Sequence, residues 1–201
     1  MLAGEKLKAQ DSFEVLLFPL EYMNISQAEH DLAIDFLGWG ANGRILNCPY
    51  YAPCSCTCVA STESANRIWQ SNNRVHFADG SFDYVCWVQA HDNNPLPVGT
   101  VLNQGDLLGH TGTLGQATGD HVHFNFAKGR YDGWDSSTGN TRLKNSIHIF
   151  DATYINDTVI INDENYNWKY YNLPPFPIEK RNKFSWVLYA NKLRKKYFKN
   201  F

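Results

Sequence analysis

Apolar and polar positions alternate most clearly in two stretches of the chain. In one, Val85, Trp87, Gln89 and His91 fall on one side of an extended segment and Tyr84, Cys86, Val88 and Ala90 on the other. In the second, His121, His123 and Asn125 alternate with Val122, Phe124 and Phe126. A period of two defines a strand. Ahead of the first stretch, Asp79-Gly80 separates two apolar-rich runs, the signature of a hairpin turn in which glycine supplies a positive φ. Residues 13–20 (FEVLLFPL) read as a strand ended by a proline turn. Residues 45–60 hold short apolar runs interrupted by Pro49 and Pro53. A loop, a short strand and the turn Gln104-Gly105-Asp106 follow the second arm of the hairpin. Residues 129–147 read as a polar loop, and IFDATYINDTVII is β-leaning. Near the end, LPPFP (173–177) reads as a stiff linker. After it, Phe184, Val187, Leu188 and Leu193 recur at loosely helical spacing among cations, as in a short basic amphipathic helix. The pattern predicts a mainly β, antiparallel protein with a short basic C-terminal tail that is helical. It divides the chain into a domain over 1–170 and a linker and tail over 171–201.

Composition narrows the class. The chain has 201 residues, 43% of them apolar and 19% charged, a globular balance sized for one domain with an appendage. An aromatic share of 14% favours strands. The net charge of −2 argues against a dedicated nucleic-acid binder. It also conceals an asymmetry: residues 180–201 carry eight Lys/Arg and no acid, leaving 10 basic and 20 acidic residues, a net of −10, in 1–179. An acidic body with a basic tail suggests a separate partner for the tail, the plain alternative being a solvated helix. No apolar run is long enough to span a membrane. The N-terminus lacks the basic, apolar and small-residue regions of a secretory signal, so action outside a cell implies another exit route.

Five cysteines (48, 54, 56, 58, 86) are an odd number and do not form a disulfide framework. Cys54, Cys56 and Cys58 alternate, which puts all three on one face of a strand. They read either as small buried side chains or as a thiolate metal site. The first is favoured, because structural zinc sites use wider spacing.

The histidines carry the chemistry. His121 and His123, two apart on a strand, project to one side about 6.5–7 Å apart. That is too far for one hydrogen bond, but it suits one zinc ligand beside one residue acting on water. A catalytic zinc needs three protein ligands and an open position. His30 and Asp35 in HDLAID supply the missing nitrogen and oxygen donors, and Asp31 is a second carboxylate in that segment. His91 ends the central hairpin arm. The glycine-rich loop GHTGTLGQATGD feeds a strand, not a helix, which disfavours phosphate cradling. His76, His110 and His148 are assigned no role.

These pieces (HDLAID, WVQAH and GHTGTLGQATGDHVHFNF) resemble the lysostaphin-type, or LytM-like, zinc endopeptidases of bacterial cell walls. MNISQ, APCSCTCVA and the ending DATYINDTVIINDENYNWK resemble the versions carried by phages of Gram-positive bacteria. The resemblance covers roughly residues 13–170. It implies an antiparallel β-sheet groove and one Zn2+ ion held by His30, Asp35 and His123. His91 and His121 would be the non-ligand catalytic pair, with Asp35 preferred to Asp31 by its Ala-Ile-Asp context. Gly112, Gly115, Gly119 and Asn125 would line the groove for an extended peptide. The chain has four residues between His30 and Asp35 where the family has three, which predicts a β-bulge or a differently looped segment. The implied activity is hydrolysis of peptidoglycan peptide cross-links by a phage lysin, within a virion or released at lysis, with the tail contacting other phage tail or virion proteins. A catalytically inactive wall-binding or structural virion module of the same fold is the alternative. A metal store or sensor built on the three clustered cysteines is the third reading.

Overall fold

The computed structural model describes residues 1–154 except 31, 63, 64 and 140, together with the backbone of 160–161; the side chains of 27–30 are not among the described parts. The expected linker and basic tail lie outside the described residues.

The strands in chain order are β1 (Tyr22–His30), β2 (Ala33–Gly40), β3 (Gly43–Ile45), β4 (Pro49–Tyr51), β5 (Cys56–Ala60), β6 (Asn66–Ser71), β7 (Val75–His76), β8 (Phe82–Asp83), β9 (Val85–Ala90), β10 (Val101–Leu102), β11 (Leu107–His110), β12 (Val122–Lys128), β13 (Ser146–Ile147) and β14 (Ile160–Ile161). The main sheet runs β10-β5-β6-β9-β12-β2-β1-β14, with β3 on β2 and β13 on β12. Every pairing in it is antiparallel except that of β1 with β14. The expectation of a mainly β, antiparallel fold holds.

Alternation sorts the side chains. Ile34 and Phe36 of β2, Val85 and Trp87 of β9, and Val122, Phe124 and Phe126 of β12 all enter one large buried cluster. Cys54, Cys56 and Cys58 enter the same cluster, so the cysteine row packs as small apolar side chains. Burial pushes their thiols above the usual range. The opposite face of the sheet carries a smaller cluster of Ile68, Cys86, Val88, Ala127 and Leu143. Leu143 belongs to the stretch expected as a polar loop, which therefore covers sheet surface, with Tyr131 and Trp134 packed beside it.

Asp79-Gly80 lies in the turn between β7 and β8, with Gly80 at φ 86°. Two expectations need correction. Residues 13–20 are extended and largely buried, but form only isolated bridges, Glu14 to Lys8, Val15 to His76, Leu17 to Tyr154 and Leu20 to Tyr50. With each contact going to a different neighbour, the segment threads the core instead of joining a ladder. The β-leaning stretch after His148 begins with one turn of helix, α1 (Ile149–Ala152), capped by the His148 ring, which accepts from the Phe150 amide. Burial of Ile149, Phe150 and Ala152 favours that turn over strand propensity.

Candidate functional site

Three neighbouring strands converge at one end of the sheet. His123 of β12 lies opposite Asp35 of β2 and opposite Ala90 of β9. Asp35 falls between Ile34 and Phe36, which face the core, so it points to the other face with His123. The His123 Nδ1 lies 2.9 Å from Asp35 Oδ1, and His121 Nε2 lies 3.6 Å from Asp35 Oδ2. The His91 ring is 4.4 Å from that of His121 and 6.3 Å from that of His123, centre to centre. Four of the five residues singled out for zinc and catalysis are therefore together. The fifth, His30, ends β1 opposite Ala33; its side chain is outside the described residues, as is Asp31.

The extra residue between His30 and Asp35 is absorbed by the β1–β2 connection. Leu32 takes a positive φ of 62°, and the register of β1 against β2 shifts between Ile25 and Gln27 and again between Gln27 and His30. That is the irregularity the four-residue spacing predicts.

His91 departs from its expected side. Continued alternation would carry it with Val85, Trp87 and Gln89 toward the core. Instead β9 ends at Ala90 and His91 takes φ 77°, a left-handed conformation uncommon outside glycine. The ring then meets His121 and His123. Such strain persists only where the surroundings over-determine it. The His91 amide donates to Ala65 O, and its carbonyl accepts from the Leu114 amide.

Two backbone carbonyls fix ring protonation. His91 Nδ1 lies 2.9 Å from Leu114 O, and His121 Nδ1 lies 2.8 Å from Gly119 O. A carbonyl only accepts, so each Nδ1 carries the proton and each neutral ring offers its Nε2 as an acceptor. Burial lowers the pKa of His91, opposed by the Leu114 hydrogen bond. Sequence reading missed both carbonyls, since main-chain acceptors leave no residue-type signal.

The glycines act mainly through close approach. A Cβ at Gly112 would overlap the His91 carbonyl, and Gly112 forms a two-way bridge with His121. Gly115 has φ 81° and comes within 2.7 Å of the Ala65 methyl by its would-be Cβ. Gly119 has open space around it and contributes its carbonyl. Asn125 is 1% exposed. Its Oδ1 accepts from the Leu143 amide and the Ser146 hydroxyl, which makes it an anchor for the covering segment and not part of an open lining. A groove of about 460 Å³ opens beside the histidines, lined by Ala65, Val88, Ala90, His91, His123 and Trp134 among others.

The donor set fits a zinc ion in part. Among the described residues no group of three His, Cys, Asp or Glu side chains is arranged to hold a metal. The Asp35–His123 pair supplies one carboxylate oxygen and one imidazole nitrogen, 2.9 Å apart and hydrogen-bonded; a zinc ion with bonds of about 2.0–2.2 Å would hold the two about 3.3–3.6 Å apart. The pair is partly buried, and His123 lines the groove.

Two solved structures similar to this chain are described as peptidases. The catalytic domain of the antimicrobial peptidase lysostaphin from Staphylococcus simulans aligns at 18% identity and a TM-score of 0.40, over 73% of this chain and 87% of that one. A zinc containing peptidase from Vibrio cholerae aligns at 13% identity and a TM-score of 0.39, over 63% of this chain and 42% of that one. In sequence, the chain is similar to Morphogenesis protein 1 of Bacillus phage B103, 39% identical over 172 residues, 81% of this chain. The chain spans 46% of that protein's length. No family model matches.

Proposed function

We propose that this chain is a zinc-dependent endopeptidase that hydrolyses peptide cross-links of bacterial peptidoglycan, acting as a phage lysin in a virion or at lysis. The observation that carries the reading is the convergence of Asp35, His91, His121 and His123 beside a groove that His91 and His123 line. In this reading His30, Asp35 and His123 hold one Zn2+ ion. The chemistry zinc supplies when bound is polarisation of a carbonyl and a lowered pKa of water.

The protein's own residues do the rest. Asp35 brings one negative charge to the ligand set. With Nδ1 tied to a carbonyl, His91 and His121 each present Nε2 toward the site. One takes a proton from the attacking water and returns it to the leaving amine; the other, once protonated, donates to the developing oxyanion. Both rings share the carbonyl bond at Nδ1, so either can be the base. Gly112 and Gly115 let the histidine-bearing loops close against each other, and the small Ala65, Val88 and Ala90 leave width for an extended peptide.

The phage relative's name, a morphogenesis protein, supports a role in forming the particle, and residues 180–201 fit an anionic wall polymer or another virion protein by charge. The same name favours a second reading, an inactive structural module of the virion. Digestion of purified walls of several cross-link types separates the two. New amino termini at one defined bond, dependent on zinc, support the enzyme; intact cross-links at stoichiometric protein and zinc overturn it.

A further inference from the structure

A buried polar chain leads from the core to the turn that carries His91. Trp69 Nε1 donates to Gln89 Oε1 at 3.0 Å, and Gln89 Nε2 donates to the Tyr50 hydroxyl at 2.6 Å. The Tyr50 hydroxyl and the Asp92 carboxylate both border Gly109, where a Cβ would come within 2.6 Å of the first and 2.3 Å of the second. All four residues are buried. The direction is fixed at both ends. An indole N–H only donates, so the Gln89 oxygen faces Trp69 and its NH2 faces Tyr50. The tyrosine oxygen therefore accepts from Gln89, which leaves its own proton for another acceptor, and the carboxylate beside Gly109 only accepts.

Asp92 also holds backbone on two sides. Its Oδ1 accepts from the Asn94 amide at 2.8 Å, and its Oδ2 accepts from the His110 amide at 3.0 Å. It thus ties the turn after β9 to β11. Gly109 is matched to this junction, because a Cβ there would overlap both Asp92 Oδ2 and the Tyr50 hydroxyl.

We propose that Asp92, braced by Tyr50 and Gln89, is a positioning residue for His91: it clamps the residue that follows the left-handed turn and so keeps the imidazole on the groove side of the sheet. The assignment rests on the catalytic reading of His91. The need for a clamp follows from the backbone. At φ 77° the His91 conformation is disfavoured, and relaxation to an extended one returns the ring to the side of Trp87 and Gln89. The ring's own bond to Leu114 O holds the side chain, while Asp92 holds the chain beneath it.

Asp92→Asn puts an NH2 where the site offers only donors, and Tyr50→Phe removes one donor while keeping the ring. In the full chain with zinc, both variants are compared with the wild type by wall-peptide kinetics, zinc content and ring 1H–15N spectra. Asp92→Asn is expected to lower kcat by about 10- to 100-fold, with KM and zinc content within about twofold of wild type. Tyr50→Phe follows in the same direction with a smaller drop. In both, the slowly exchanging His91 Nδ1 proton is lost or averaged while that of His121 stays. Wild-type kcat together with an unchanged His91 signal, or a loss confined to melting temperature, overturns the proposal. If Asp92→Asn does not fold, Tyr50→Phe carries the same readouts. If the wild type shows no hydrolysis, the enzyme reading fails separately. The ring spectra then decide: loss of the His91 proton supports the clamp and its persistence overturns it.

Discussion

The two faces of β12 are built from one alternating stretch and have opposite jobs. Val122, Phe124 and Phe126 go into the main core, where Phe124 packs on Phe36 and Tyr50, and Phe126 stacks on Trp87. His123, Asn125 and Ala127 go to the other side, toward Asp35, the covering segment and the smaller cluster. On the core face each side chain is replaceable by another of similar volume, because apolar packing is non-directional. On the site face identity matters, because distances and donor types decide whether a metal or a proton is held. The lesson is that the apolar face supplies rigidity to strands whose polar face can then keep groups within a few ångströms of one another.

The sharpest way to break this division is to remove a proposed ligand. His123→Ala is expected to abolish zinc binding and wall digestion while leaving the fold intact, as read by metal analysis, turbidity loss and circular dichroism. His121→Ala is expected to keep zinc and to lower the hydrolysis rate on the order of 10²–10⁴-fold. Loss of zinc from His121→Ala would merge the two roles and undo the assignment. On the opposite face, Phe124→Ala is expected to cost about 3–5 kcal/mol in denaturant unfolding, with zinc still bound where the protein stays folded. Asn125→Ala removes the acceptor for Leu143 and Ser146, and the expected cost is about 1–3 kcal/mol with little change in zinc affinity.

A final effect tests burial away from the site. Met1 is 1% exposed, and its amino group donates to Phe18 O and Leu20 O. Burial lowers its pKa from 8.0 to about 5, opposed by Glu5 and Glu21. The unfolded chain binds the proton that the folded chain releases, so this group makes stability rise from pH 5 to pH 8. Denaturant midpoints across that window are expected to increase with pH, and to flatten when the amine is acetylated, if the acetylated chain folds.

Much of this was legible in residue order. The alternation over 84–91 and 121–126 located the two strands next to the site, and His-x-His with His30, Asp35 and His91 named a set of which four side chains are seen together. What was not legible has a common cause: it depends on backbone conformation or on distant partners. The φ of His91 reversed the side that alternation assigned to it. The carbonyls of Leu114 and Gly119 are invisible as residue types. Asn125 looked like groove lining because the covering segment around Leu143 reads as polar. Ile149–Ala152 form a helical turn because burial there outweighs local preference.

Crystals of the zinc-loaded chain, measured on both sides of the zinc absorption edge, test the central claim most directly. The account predicts one anomalous peak bonded to Asp35, His123 and His30, with His91 and His121 outside the bonding distance of about 2.0–2.2 Å. A peak among Cys54, Cys56 and Cys58, or none at Asp35 and His123 at saturating zinc, would contradict it.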